Sequence, residues 1–261
     1  MKICSSTKVL SGMPLCNALR MIAETGYDGA EIWVEQIWRS DISITTLKAL
    51  FKELNLHITL HAPAGDLNIT STDDEIREIS LTKTTRALEL GSDLGVHYVT
   101  VHPGRKTSTK DPEEENWELQ LEGMTRLAEA GDRLGVSVGV ENMEQRPLEV
   151  IILPDRIRKL VSEVGSTSLA VTFDIAHAAT VRSLGPLAYM AALGEFDHVH
   201  LSDSSTVKTH LPLGEGELNL TEILTDLRSR FDGYVAIEGY VPNHDEKVVH
   251  DNYSFWKNNL Q

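Results

Sequence analysis

Side chains that ligate metals recur in this 261-residue sequence at the ends of short apolar runs. The runs HITLHAP, HYVTVHPG, VSVGVENM, LAVTFDIAH, HVHLSDS and YVAIEGY deliver His61, His102, Glu141, Asp174, His200 and Glu238, each after a stretch that reads as a buried strand. One histidine at a strand end means little. Six imidazoles and carboxylates at the same phase of a repeating pattern are hard to account for as surface residues. Strands that close into a parallel barrel aim their C-terminal ends at one mouth, where such side chains would converge on one or two divalent cations.

The elements needed to position this set are legible as eight alternations. The strands are KICSST, GAEIWVE, HITLHAP, HYVTVHPG, VSVGVENM, LAVTFDIAH, HVHLSDS and YVAIEGY. The helices between and after them are PLCNALRMIAETG, TTLKALFKELN, DDEIREISLTKTTRALELGSDLG, NWELQLEGMTRLAEAGDRLG, DRIRKLVSEVG, GPLAYMAALGE, LTEILTDLRSRF and EKVVHDNYSFWKNNL. Pro14 suits a first turn, and ETGYDG, DLGVHY, RLGVSV and EVGSTS each place a glycine between helix and strand as a C-terminal cap. In the third helix Ile79, Ala87 and Leu90 are expected on one side. The strands read as β-branched and mostly apolar, as parallel strands buried on both faces should be. The reading is one α/β domain over residues 1–261, a single (β/α)8 barrel with a metal site at its C-terminal mouth. A doubly wound open sheet is the structural alternative, but it would not gather six strand ends around one point.

Size and composition agree, because 261 residues is the usual length of one such barrel. The two cysteines, Cys4 and Cys16, make no CxxC pair and are expected in the core of a protein from a reducing compartment. MKICSSTKVL lacks a long apolar region and no stretch reaches membrane-spanning length, so a cytoplasmic protein without a membrane partner is expected. The net charge of −15 argues against a general affinity for nucleic acid.

With these motifs in order, the chain resembles the xylose isomerase-like TIM-barrel superfamily, which contains sugar isomerases and epimerases, inosose-processing enzymes and the endonuclease IV group. The matching motifs are HAP at 61–63, HPG at 102–104, EN at 141–142, DxxH at 174–177, HLSD at 200–203, HLPLGEGELN at 210–219 and EGY at 238–240. The resemblance runs from Lys2 to the last helix.

Glu141, Asp174, His200 and Glu238 form a set of three carboxylates and one imidazole, suited to Mn²⁺ or Mg²⁺ and tolerant of Zn²⁺ or Co²⁺. One such cation can chelate a substrate carbonyl and its neighbouring hydroxyl and stabilise the enediolate left when the α-proton departs. By resemblance to the epimerases, Glu141 and Glu238 are also the acid/base pair, and His177 contacts a substrate oxygen. The expected activity is isomerisation or epimerisation of a small sugar or related polyhydroxy carbonyl compound. Dehydratases of the inosose and dehydroshikimate type begin with the same proton abstraction and stay open. Thr206 stands where the ketose 3-epimerase branch has an arginine, so that branch's substrate does not transfer.

The rival reading comes from His61 and His102, which match the histidines holding a further zinc in the endonuclease IV group, with Glu141 bridging. That would make a two-metal phosphoesterase. The third zinc of that group would need His177, His210 and an aspartate where this chain has Lys208, and a cation there should abolish it. If Lys208 instead points into the mouth, it would pair with an anionic group of the substrate, helped by Arg105 and Lys106. His210 is a substrate-binding candidate, and so is Trp33, by stacking on a sugar ring; Trp33 has a core or subunit-contact role in a homo-oligomer as its alternative. Glu35 is expected exposed, and Trp38, like Trp33, flanks the mouth. His57, His97 and His198 are expected to be structural, away from the chemistry, with His244 and His250 solvated and Asp203 orienting His200.

Overall fold

The computed structural model describes residues 1–243 and 245–260, so His244 lies outside the described residues. The strands are β1 (Lys2–Ser6), β2 (Gly29–Trp33), β3 (His57–His61), β4 (Tyr98–Val101), β5 (Ser137–Glu141), β6 (Leu169–Asp174), β7 (His198–Leu201) and β8 (Tyr234–Ile237). All pair in parallel and in chain order, and β8 returns to β1 to close the barrel. Around it stand α1 (Leu15–Thr25), α3 (Ile44–Leu54), α4 (Asp74–Leu94), α5 (Glu113–Leu134), α6 (Pro154–Val164), α8 (Gly185–Leu193), α9 (Leu220–Arg230) and α10 (Asp245–Leu260). Two short helices, α2 (Val34–Trp38) and α7 (Ile175–Thr180), sit directly at the ends of β2 and β6. No helix among the described residues is long and apolar enough to cross a membrane.

The four expected glycine caps are present. Gly26, Gly95, Gly135 and Gly165 follow α1, α4, α5 and α6 with φ of 103°, 75°, 67° and 64°, a left-handed conformation that costs glycine nothing extra. All eight strands end one to three residues before their runs do. β2 gives way to α2 at Val34, β7 ends at Leu201, and β6 ends at Asp174, not His177. The cause at β6 is capping, since Asp174 Oδ1 accepts from the backbone N–H of His177 at 2.6 Å and starts α7. The DxxH spacing thus places both side chains at one corner.

The strands are not apolar on both faces, contrary to expectation. Ile58, Leu60, Val99, Val101, Val138, Val140, Val171, Phe173, Val199, Leu201, Val235 and Ile237 join the helices in one apolar core. The alternate positions carry Ser6, Glu31, Thr59, Thr100, Glu141, Thr172, Asp174, His198 and His200, all buried and none of them part of that core. Their contacts link strands that are not neighbours in the sheet, such as Tyr98 on β4 with Thr172 on β6 at 3.0 Å, so they run through the lumen. Gly139 makes room there, because a Cβ on it would meet the Tyr98 hydroxyl at 2.3 Å. On α4 the buried face is Ser80, Leu81, Thr84, Ala87, Leu88, Gly91 and Leu94. Ile79, expected beside Ala87, is 57 % exposed because it projects off that face.

Candidate metal centre and active site

β5, β6 and β7 carry Glu141, Asp174 and His200 to the C-terminal end of the barrel, and Glu238 follows β8, its N–H donating to Leu201 O at 3.0 Å. The four side chains are buried and each offers a ligand atom within 4.8 Å of the others. His200 Nδ1 faces all three carboxylates, at 2.9 Å from Glu141 Oε1, 3.4 Å from Glu238 Oε2 and 4.0 Å from Asp174 Oδ2. Glu141 Oε2, Asp174 Oδ2 and Glu238 Oε1 are buried without a hydrogen-bond partner. Orphaned carboxyl oxygens in such number are costly unless a cation satisfies them, so the donor set fits a hard divalent metal. Asn142 clips the corner together: its amide donates to Asp174 O at 3.0 Å, and its carbonyl oxygen accepts from Asp174 N at 2.8 Å.

His61 and His102 adjoin this quartet. Their Nε2 atoms lie 3.7 and 3.2 Å from Glu141 Oε2, and the three residues form a second cluster of ligand geometry. His61 Nδ1 donates to its neighbour's carbonyl, Ala62 O, at 2.7 Å, which turns Nε2 toward Glu141. Trp33 lies flat on the His61 ring, with centroids 4.0 Å apart and planes 6° off parallel, and donates Nε1–H to Ser6 Oγ at 3.2 Å. One face of its indole is therefore taken by a protein ring.

A third cluster unites Glu144, His177 and His210. His177 Nδ1 donates to Asn142 O at 2.7 Å, and its Nε2 meets His210 Nε2 at 3.1 Å. A carboxylate thus stands beside this histidine pair although Lys208 occupies the position expected to supply one. Lys208 itself is exposed on the wall of a groove of about 600 Å³, with Arg146, Arg182, Glu144 and Thr209. Arg105 lines a different cavity, with His102, Met143 and Glu149. The cations beside Lys208 are Arg146 and Arg182, not the expected Arg105 and Lys106.

Among the other residues, Asp203 and Glu35 depart from expectation, whereas His57, His97, His250 and Cys4 do not. Asp203 does not orient His200; its carboxylate accepts from the backbone N–H groups of Ser204, Gly214, Gly216 and Leu218 at 2.8–3.2 Å and folds the GEGELN loop around itself. Glu35 is half-buried, with Oε2 unpartnered. Trp38 meets the Arg86 guanidinium at 5.4 Å on the helical side. His57 stacks on Tyr234, His97 is within 3.2 Å of Gly135 O, and His250 is exposed. Cys4 is a buried free thiol and Cys16 a half-buried one.

Charge in the centre is compensated pairwise. Burial alone would raise the Glu141 carboxyl, but the imidazoles of His200, His102 and His61 hold it well below the carboxylate range. Burial would lower His200, yet Glu238, Glu31 and Glu141 push it well above its ordinary value. For Asp174, burial first and then repulsion from Glu141 and Glu238 outweigh the pull of His210 and His200, and raise it to about 8. Three carboxylates around one imidazole exceed what a single proton can neutralise.

A family model described as xylose isomerase-like TIM barrel matches residues 19–259. The chain belongs to this family. The uncharacterized protein MJ1311 of Methanocaldococcus jannaschii is 29 % identical over 246 residues, covering 91 % of this chain and 83 % of that one. Fructoselysine 3-epimerase of Escherichia coli O157:H7 is 26 % identical over 240 residues, covering 87 % and 86 %. A crystal structure of a D-tagatose 3-epimerase-like protein superposes with a TM-score of 0.87 at 26 % identity, covering 100 % and 97 %.

Two residues of this xylose isomerase-like barrel escaped the reading of strand ends. Glu144 lies three residues beyond Glu141 in a loop with no periodicity to single it out. Glu31 sits in mid-strand, fully buried, with His198 Nε2 2.9 Å from Oε2 and His200 Nε2 2.8 Å from Oε1. His198 is thus joined to the centre from below and is not remote from it. The signal was available: a lone glutamate inside an apolar run must find a buried partner.

Proposed function

We propose that the chain is a divalent-metal-dependent epimerase or isomerase of a small, sugar-like polyhydroxy carbonyl compound, folded as one catalytic unit over residues 1–261. The observation that carries this is the buried quartet of Glu141, Asp174, His200 and Glu238 with three orphaned carboxylate oxygens. Likeness to a fructoselysine 3-epimerase and to a D-tagatose 3-epimerase-like protein supports carbonyl sugar chemistry. A divalent cation held by the quartet (Mn²⁺, Mg²⁺, Zn²⁺ or Co²⁺) would polarise the substrate carbonyl and favour loss of the neighbouring proton.

The protein's own groups then move that proton. Glu141 comes from β5 and Glu238 from β8, and both oxygens of neither carboxylate are consumed by hydrogen bonds. One removes the proton from the carbon next to the carbonyl and the other returns one from the opposite side, which inverts that carbon. His177 and His210 turn Nε2 atoms to one another beside the quartet and would hold a substrate hydroxyl. Trp33 fixes His61 by stacking on its ring. Lys208, with Arg146 and Arg182 on the same groove, would receive an anionic substituent if the substrate carries one.

The test is exchange of substrate protons in heavy water, read by NMR, with fructoselysine and a panel of ketoses and their phosphates plus Mn²⁺. Exchange that disappears in Glu141→Gln and Glu238→Gln, both still folded, is the expected result. Full exchange in either variant overturns the assignment. The His61–His102–Glu141 cluster favours a second reading, a two-metal phosphoesterase. Elemental analysis separates the two, because two cations per chain with turnover of a phosphodiester and none of a ketose would select it. Formation of a dehydrated product would select the dehydratase alternative.

A further inference from the structure

The lumen beneath the quartet contains a buried carboxylate that the proposed chemistry does not use. We propose that Glu31 is a positioning residue, which fixes the tautomer and orientation of His200 so that Nδ1 is the atom presented to a cation. This rests on the reading of Glu141, Asp174, His200 and Glu238 as cation ligands.

Glu31 is fully buried at the level of Thr59 on the neighbouring strand. Oε2 accepts from Thr59 Oγ1 at 3.0 Å and faces His198 Nε2 at 2.9 Å. Oε1 lies 2.8 Å from His200 Nε2 in a bent contact, and each of these two atoms is otherwise without a hydrogen-bond partner. A carboxylate only accepts, so the nitrogen facing it carries the proton. Nδ1 meets Glu141 Oε1 at 2.9 Å and faces Glu238 and Asp174, so it too carries a proton in the metal-free ring; that is the proton a cation displaces, while Glu31 keeps the one on Nε2. Carboxylate–histidine pairs of this kind set which ring nitrogen binds a metal.

The carboxylate cannot be replaced by its amide without consequence. Two imidazole N–H groups and one hydroxyl point at Glu31, whereas a glutamine has one accepting atom. Thr59 and His198 share Oε2, so the amide oxygen is best placed there and the NH₂ group falls opposite His200 Nε2. His200 must then accept with Nε2 and carry its proton on Nδ1, where the cation should be. Thr59→Val removes a donor to the same carboxylate but leaves the His200 side untouched.

The experiment titrates Co²⁺ into metal-free wild type, Glu31→Gln and Thr59→Val by calorimetry, with circular dichroism as the check on folding. The expected result is a loss of affinity of about 10- to 100-fold in Glu31→Gln, with Thr59→Val within twofold of wild type. Equal losses in both variants, or none in Glu31→Gln, overturn the proposal. Absence of Co²⁺ uptake by wild type overturns instead the reading of the quartet. If Glu31→Gln does not fold, ¹⁵N NMR of Zn²⁺-loaded wild type decides: a proton on His200 Nε2 supports the proposal, and zinc on Nε2 overturns it.

Discussion

On the outward side of the strands, Val138, Val140, Phe173, Val199, Val235 and Ile237 meet the helices in a continuous apolar layer. On the inward side of the same strands, Glu31, Thr172, Asp174, His198 and His200 are equally buried but charged or hydrogen-bonded. The outer layer stabilises the fold by removing apolar area from water, at about 1.5–3 kcal/mol per large side chain. The inner layer costs desolvation and returns it only where partners are complete. Burial therefore means opposite things a few ångströms apart: packing outside the strands, a prepared site inside them.

The largest expected effect of breaking that division is on chemistry. Glu141→Gln or Glu238→Gln should slow substrate proton exchange by about 10²- to 10⁴-fold while the melting curve stays cooperative. The converse cut lies in the outer layer, where Leu127 is fully buried. Leu127→Ala should cost about 2–5 kcal/mol in denaturant unfolding, and turnover per folded molecule should be unchanged. Lost turnover in a folded Leu127→Ala protein would mean that the two layers are not separable.

A further effect is read through pH. Asp174 is held neutral up to about 8 by burial and by Glu141 and Glu238. Its folded value lies above the ordinary 3.8, so the native state keeps a proton that the unfolded chain releases. The associated stability is present below pH 3.8 and is lost as pH rises to about 8. In the metal-free protein Asp174→Asn should remove that loss, a gain on the order of several kcal/mol at pH 8. Asparagine still caps α7, so the comparison is clean. Cation binding must expel the same proton, and calorimetry in buffers of different ionisation enthalpy should show proton release that falls away above pH 8. A metal-free Asp174→Asn protein with the pH slope of wild type would show that the inner layer carries no such cost.

These differences mark what the amino-acid sequence can convey. The ligand positions near the strand ends and the helix caps are readable because each is a local pattern: Glu141, Asp174, His200 and Glu238 share a phase, and Gly26, Gly95, Gly135 and Gly165 share a position. Contacts across the lumen are not, since Glu31 and His198 are separated by 167 residues and only barrel closure joins them. The ends of β2 and β6 were misjudged because apolar residues continue into α2 and α7, and only the Asp174 cap marks where one strand stops. Asp203 looked like a partner of His200 by adjacency, but four backbone donors of a later loop claim it.

Ile79 sharpens the comparison with the smallest effect. Its spacing from Ala87 suggested the apolar layer, yet it is 57 % exposed on α4, and Ile76 beside it is 46 % exposed. Leu88 on the same helix is fully buried. If burial alone decides, Ile79→Glu should change stability by no more than about 0.5 kcal/mol, whereas Leu88→Ala should lose about 2–5 kcal/mol. A larger loss at Ile79 that depends on protein concentration would place that face of α4 against another copy of the chain. It would then belong to the outer layer after all, completed between molecules instead of within one.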